Sequence, residues 1–179
     1  VGSIEWLKGS IHFDNNMEEP VDGLDPNHIA LTDIHLAADS ILYSEALTHA
    51  VIRNMSMKEK SGLKLDQLYA SLTMDSTDVD MPTLLIRTPY SEIMGKAKVS
   101  IKVADKTQPG PFDIQLFGSI GKGDVMAFCG SMPKAFINRY PNHPISLRAD
   151  INGNINNITI HCILIYMNYI IGIHPGLSF

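Results

Sequence analysis

Cysteine is scarce in this chain of 179 residues: there are two, Cys129 and Cys162, far apart. Two cysteines make no disulfide framework, and their separation lacks the close spacing of a metal site, so we read them as buried free thiols. Basic residues are also few. Fourteen Lys and Arg against nineteen Asp and Glu leave a net charge of −5, which provides no electrostatic footprint for nucleic acid and no support for an acidic substrate. No stretch reaches the ~18 to 20 consecutive apolar residues that span a bilayer as a helix. The longest candidate, Ile158 to Ile173, is interrupted by His161, Asn168 and Gly172 and reads as buried strand. A start methionine and a basic, then apolar, leader are missing ahead of Val1, so we expect an excerpt of a longer protein.

What is present is alternation. Leu68, Ala70, Leu72 and Met74 alternate with Tyr69, Ser71, Thr73 and Asp75, the period of a strand with one apolar face. Asp75 to Asp78 supplies a polar turn, and the chain is expected to reverse there into Val79 to Ile86, making a hairpin. Along the return run the apolar phase slips at Pro82, which implies a bulge or an edge. The hairpin is followed by Thr88-Pro89-Tyr90-Ser91. Ile4, Trp6, Ile11 and Phe13, at alternate spacing on either side of Gly9, read as one strand or as two short ones with a bulge, and a similar slip places a bulge near Asp33, within Ile29 to Leu36. Further strands are expected at 38–43, 47–57, 97–103 and 112–116, then from Ile145 to Ile151 and Ile155 to Ile160. Residues 14–26 and 58–62 read as loops.

One segment differs. From Gly121 to Tyr140, Asp124 is placed to cap a helix through Cys129, Gly130 interrupts it, and Ser131 with Pro133 opens a further turn. We expect one short amphipathic helical segment there. The tripeptide Pro-Asn-His occurs at 26–28 and 141–143, each before an extended run.

Candidate chemistry is thin. The histidine pairs His28 with His35 and His143 with His161 lack metal-ligand spacing, and Asp75, Asp78 and Asp80 lack the glycine and terminal glutamate of a calcium loop. Gly118 to Gly123 imitates a phosphate cradle but lacks the Lys-Ser/Thr of that motif, so it reads as a strand-to-helix loop. There is no Gly-x-Ser-x-Gly elbow and no catalytic constellation. The chain reads as non-enzymatic, without metal or cofactor. What it does carry is a large apolar strand surface with few helices to cover it, which must fold on itself, meet a second sheet or hold an apolar ligand.

Asp25-Pro26-Asn27-His28-Ile29-Ala30-Leu31-Thr32-Asp33-Ile34, then Ser61-Gly62-Leu63-Lys64-Leu65, then Leu84 to Ser91 with Ile86-Arg87-Thr88-Pro89-Tyr90-Ser91, resemble the AsmA-like, translocation and assembly module TamB family of Gram-negative bacteria. The resemblance covers about Trp6 to Asn157; residues 162–179 depart from the alternation and have no counterpart in it. It implies a mainly β fold, an antiparallel curved sheet of repeated strands forming an open, taco-like trough. It also implies a segment of a periplasm-spanning protein whose inner-membrane anchor lies elsewhere. The implied role is an apolar groove for phospholipid transport to, or protein assembly in, the outer membrane, with acyl chains and outer-membrane assembly proteins as partners. The lining would come from Leu68, Leu72, Met74, Leu84, Ile86, Val99, Ile101, Ile114 and Leu116. The alternative is a closed β-sandwich binding or adhesion module in which the same residues form a dry core.

Overall fold

A computed structural model describes residues 2–44, 46–130, 133–166, 169–173 and 176–178. The strands follow the chain as β1 (Gly2–Asp14), β2 (His28–Tyr43), β3 (Thr48–Glu59), β4 (Lys64–Met74), β5 (Asp78–Arg87), β6 (Glu92–Ser100) and β7 (Phe112–Ile120). Two short helices, α1 (Lys122–Cys129) and α2 (Lys134–Arg139), separate β7 from β8 (Ile145–Asn154) and β9 (Asn157–Tyr166). These nine strands form one antiparallel sheet in sequence order, each bonded to the next. Two short pieces, β10 (Tyr169–Ile173) and β11 (Gly176–Ser178), both pair with β9, against Cys162 to Tyr166 and Asn157 to Thr159 respectively, and together make a divided tenth rung. The sheet is antiparallel and open, as expected, but it is uncurled and does not take the curved, taco-like form that the resemblance implies. Among the described residues no second sheet packs on it, so the closed sandwich does not hold.

Hairpin follows hairpin because each alternating run ends in residues that bond their own backbone. Asp75 Oδ1 accepts the Thr77 and Asp78 N–H groups at 2.7 and 2.9 Å. Asp105 and Asn154 repeat the device at the turns before β7 and β9. The bulge expected at Asp33 coincides with a register shift at Thr32/His35, and of the alternatives open at Gly9 and Pro82 the structure takes the bulge, with shifts at Trp6/Gly9/Ile11 and Met81/Leu84. Three non-glycine residues with positive φ, Lys8 at 59°, Asp33 at 51° and Ser40 at 53°, also lie within shifts, because a bulge needs one residue out of the extended region. With the bulge at Ser40 absorbed, the runs expected at 29–36 and 38–43 are one strand, β2.

Register assigns the two faces. One cross-strand row reads Ile52, Ala70, Leu84, Gly95, Leu116, Ala149, Cys162. Leucines stand beside Ala or Gly, so the small residues are covered by their neighbours: Ala70 and Ala149 are buried while the leucines stay half-buried. The next position along each strand reads Tyr69, Leu85, Met94, Phe117, Arg148, Ile163, on the opposite face. That face mixes exposed apolar side chains, Met94, Phe117 and Ile163 among them, with exposed ion pairs such as Arg87–Glu92 at 2.5 Å and Lys98–Asp78 at 3.2 Å, each worth about 0–1 kcal/mol.

Several expectations need correction. The strand expected at 97–103 is displaced: β6 begins at Glu92 and ends at Ser100, because its partner β5 starts at Asp78 opposite Ser100. Beyond that point Ile101 N–H donates to Thr77 O at 2.9 Å and the chain turns. Asp124 does not cap α1, whose N-cap is Gly121. Helix α2 starts after Pro133, and Ser131 lies outside the described residues. Cys129 and Cys162 are free but half-buried, and burial raises the Cys162 thiol. The two Pro-Asn-His tripeptides are not equivalent: His28 is buried and His143 is exposed.

Candidate functional site

The apolar face is modified at one end of the strands, where β5 hands over to β6 and β7 to α1. Thr88 to Ser91 closes the β5–β6 connection on its own hydroxyl. Thr88 Oγ1 accepts the N–H of Ser91 at 2.8 Å and of Tyr90 at 3.2 Å, while Thr88 N–H donates to Ser91 O at 2.9 Å. The start of α1 lies directly on this turn. A Cβ at Gly121 would stand 2.2 Å from Tyr90 O, and one at Gly123 would stand 2.3 Å from the Tyr90 ring, so only glycine permits the approach at both positions. Asp124, one residue further, turns inward: its Oδ2 accepts hydroxyl bonds from both Thr88 and Ser91, and Ser91 Oγ in turn accepts Gly121 N–H at 3.0 Å. The result is a buried polar knot that ties α1 to the sheet.

From the other side the β1–β2 loop reaches the same helix. Leu24 N–H donates to Phe128 O at 3.2 Å. The loop is held by Asp25, whose carboxylate is 1% exposed and accepts Val21 N–H and Asn27 N–H at 3.0 Å and His28 Nδ1 at 2.8 Å. These bonds, that from Val21 foremost, hold the carboxyl below its ordinary range. Glu59 closes the β3–β4 turn in a similar way. Burial pushes its carboxyl up, but bonds from the Ser61 hydroxyl and from the N–H groups of Ser61, Ala30 and Lys60 outweigh it, and the net shift is downward.

Between α1 and the ends of β3 to β7 lies a cavity of about 430 Å³. Met57, Leu65, Ile86, Ile93 and Ile120 line it from the sheet side, and Val125, Phe128 and Cys129 from the helix. Thr88, Ser91, Asp124 and Lys64 also border it, but the polar atoms of the first three are engaged with one another and Lys64 Nζ is paired with Asp66 Oδ1 at 2.5 Å.

No family model, curated protein or solved structure matches the chain. The site therefore rests on its own geometry. Of the nine candidate lining residues, Leu68, Leu72, Met74, Leu84, Ile86, Val99, Ile114 and Leu116 occupy register positions on the apolar face. Ile101 does not. It sits in the turn after β6 and is 48% exposed. Ile86 alone of the nine also lines the cavity. Sequence reasoning missed the cavity's other walls and the knot beneath α1. The polar run Thr88 to Ser91 was the available signal, but its partner Asp124 lies 33 to 36 residues away. Among the described residues no three His, Cys, Asp or Glu side chains converge on a metal position, and no helix is long and apolar enough to cross a membrane.

Proposed function

We propose that this chain is a non-enzymatic segment of a periplasm-spanning AsmA/TamB-like envelope protein, and that its open apolar face is the groove surface along which phospholipid acyl chains move toward the outer membrane. In that setting it belongs to an inner-membrane-anchored protein and works beside outer-membrane assembly proteins. One observation carries the reading: a continuous apolar face, nine strands wide, that among the described residues no second sheet covers and α1 roofs at one end only. Exposing an acyl chain to water costs about 0.8 kcal/mol per methylene, so a continuous apolar surface lowers the barrier to moving it. Half-buried side chains suit the task, because a carrier must release what it holds.

The test is lipid retention. Protein incubated with phospholipid vesicles and re-isolated should retain lipid by mass spectrometry. Leu72→Asp and Leu116→Asp should retain at least about tenfold less, the direction set by placing a charge on an apolar surface. Leu116→Trp, which stays apolar, should keep binding and thereby separate misfolding from loss of the groove. Ile101→Asp, in the turn, should match the wild type. Lipid-free wild-type protein, or an Ile101→Asp loss equal to that of Leu116→Asp, would end the proposal.

A further inference from the structure

The cavity beneath α1 differs from the rest of the apolar face in being roofed. Its floor is continuous with that face: Leu68, Ile86, Ile93 and Leu147 belong to one cross-strand row, directly beside the row of Leu84 and Leu116. Gly118, in register between Ile93 and Leu147, adds no side chain to that row, so the floor is thin where the open face runs under the helix. We propose that this cavity is a terminal seat for the methyl end of a single unbranched hydrocarbon chain, with the rest of the chain lying along the open face and the polar head away from α1. The inference rests on the apolar face being a lipid surface, and adds to it an end point and an orientation.

Three observations select that occupant. The first is size. A dry cavity of ~150 Å³ lined by Leu, Ile and Phe is enough for benzene. About 430 Å³ admits a longer chain and falls in the range of small-ligand sites. The second is polarity. Water needs two to four polar partners to be held in such a space, and here the bordering hydroxyls and carboxylate already satisfy each other, with no buried side-chain polar atom left unpartnered among the described residues. A headgroup would meet only Lys64, whose ammonium Asp66 already holds at 2.5 Å, and would lose its hydration, whereas a methyl end loses nothing. The third is the roof. Asp124 anchors α1 at its start and the Leu24 to Phe128 bond holds it near its end, so the helix is tied at both ends across the cavity instead of being free to lift away.

The test uses two palmitic acid probes, one carrying a diazirine at the terminal carbon and one carrying it near the carboxylate. Each is photolysed on the full chain, and adducts are mapped by mass spectrometry. The terminal probe should label Val125, Phe128 or Cys129, and the proximal probe should label the open face around Leu116 and Ile151. Val125→Trp, which fills the cavity, should reduce terminal-probe labelling beneath α1 at least tenfold while leaving labelling of the open face and the far-ultraviolet dichroism unchanged. Both probes labelling only the open face would overturn the seat and leave the groove standing. The proximal probe labelling the cavity would overturn the orientation. Absence of labelling anywhere would overturn the seat together with the groove.

Discussion

The two ends of the strands are closed in opposite ways. At the end that carries α1, carboxylates are buried and bridge distant parts of the chain: Asp124 receives Thr88 and Ser91, and Glu59 receives Ala30 N–H at 3.3 Å from 29 residues away. At the other end the side chains of Asp75, Asp105 and Asn154 are satisfied by residues two or three positions on, so each turn is sealed by its own side chain. Among the described residues, neighbouring connections there meet only where Ile101 N–H and Ser100 Oγ donate to Thr77 O. The difference teaches where cooperativity resides. A defect in a self-sealed turn stays in its hairpin, whereas a defect beneath α1 loosens the helix, the β5–β6 turn and, through Phe128, the β1–β2 loop.

Asp124→Ala should therefore have the largest effect. It removes two hydroxyl-to-carboxylate bonds in a buried site and should cost about 3 kcal/mol in chemical denaturation. It should also speed amide exchange both in α1 and at Leu24. Unchanged exchange at Leu24 would break the contrast between the ends. Glu59→Ala should cost about 1–2 kcal/mol, since the N–H groups of Ala30 and Ser61 lose a charged acceptor.

The smallest effect is expected at the self-sealed end and shows in its acid response. Bonds from the Thr107 hydroxyl and from the Gln108 and Thr107 N–H groups lower the Asp105 carboxyl from 3.8 to about 2. Asp75 is lowered in the same sense, chiefly by the Thr77 and Asp78 N–H groups. A folded-state value below the unfolded one means the stabilisation is complete above the unfolded value and disappears as pH falls through the folded one. Between pH 3.8 and about 2 the denaturation midpoint should fall, and Asp105→Asn, which keeps the acceptor but cannot titrate, should flatten part of that fall while changing little at pH 7. A large loss for Asp105→Asn at neutral pH would show that this end is not self-sealed.

The fold was legible where side-chain period and local turn chemistry agree. The alternation from Leu68 to Met74 and the turn at Asp75 together determine β4, its reversal and its faces. Slips of phase found the bulge at Asp33 and raised those at Gly9 and Pro82 as one of two readings, because a bulge is a purely local event. At 97–103 alternation misled. It reports which way side chains would point in a strand, not whether a partner strand is still alongside, and β5 has no residue left to pair beyond Asp78. The start of β6 was overlooked because Gly95 and exposed Met94 blur its pattern. The knot beneath α1 was illegible for a different reason. Its three members come from two turns of the chain that only the finished sheet brings together, and Asp124 at a helix start resembles an ordinary cap.

The chain's single tryptophan has a use that its position dictates. Trp6 lies on the edge strand β1 with its indole folded over Gly9, so close that a Cβ there would stand 2.3 Å from the ring, and it remains 41% exposed. Its emission is thus a built-in reporter for that margin alone. A strand or acyl chain arriving along β1 would dry the indole and shift its fluorescence to shorter wavelength, while events beneath α1, over β3 to β7, would leave its emission unchanged. Arrival at the margin and arrival under the helix can be timed separately in one unlabelled sample.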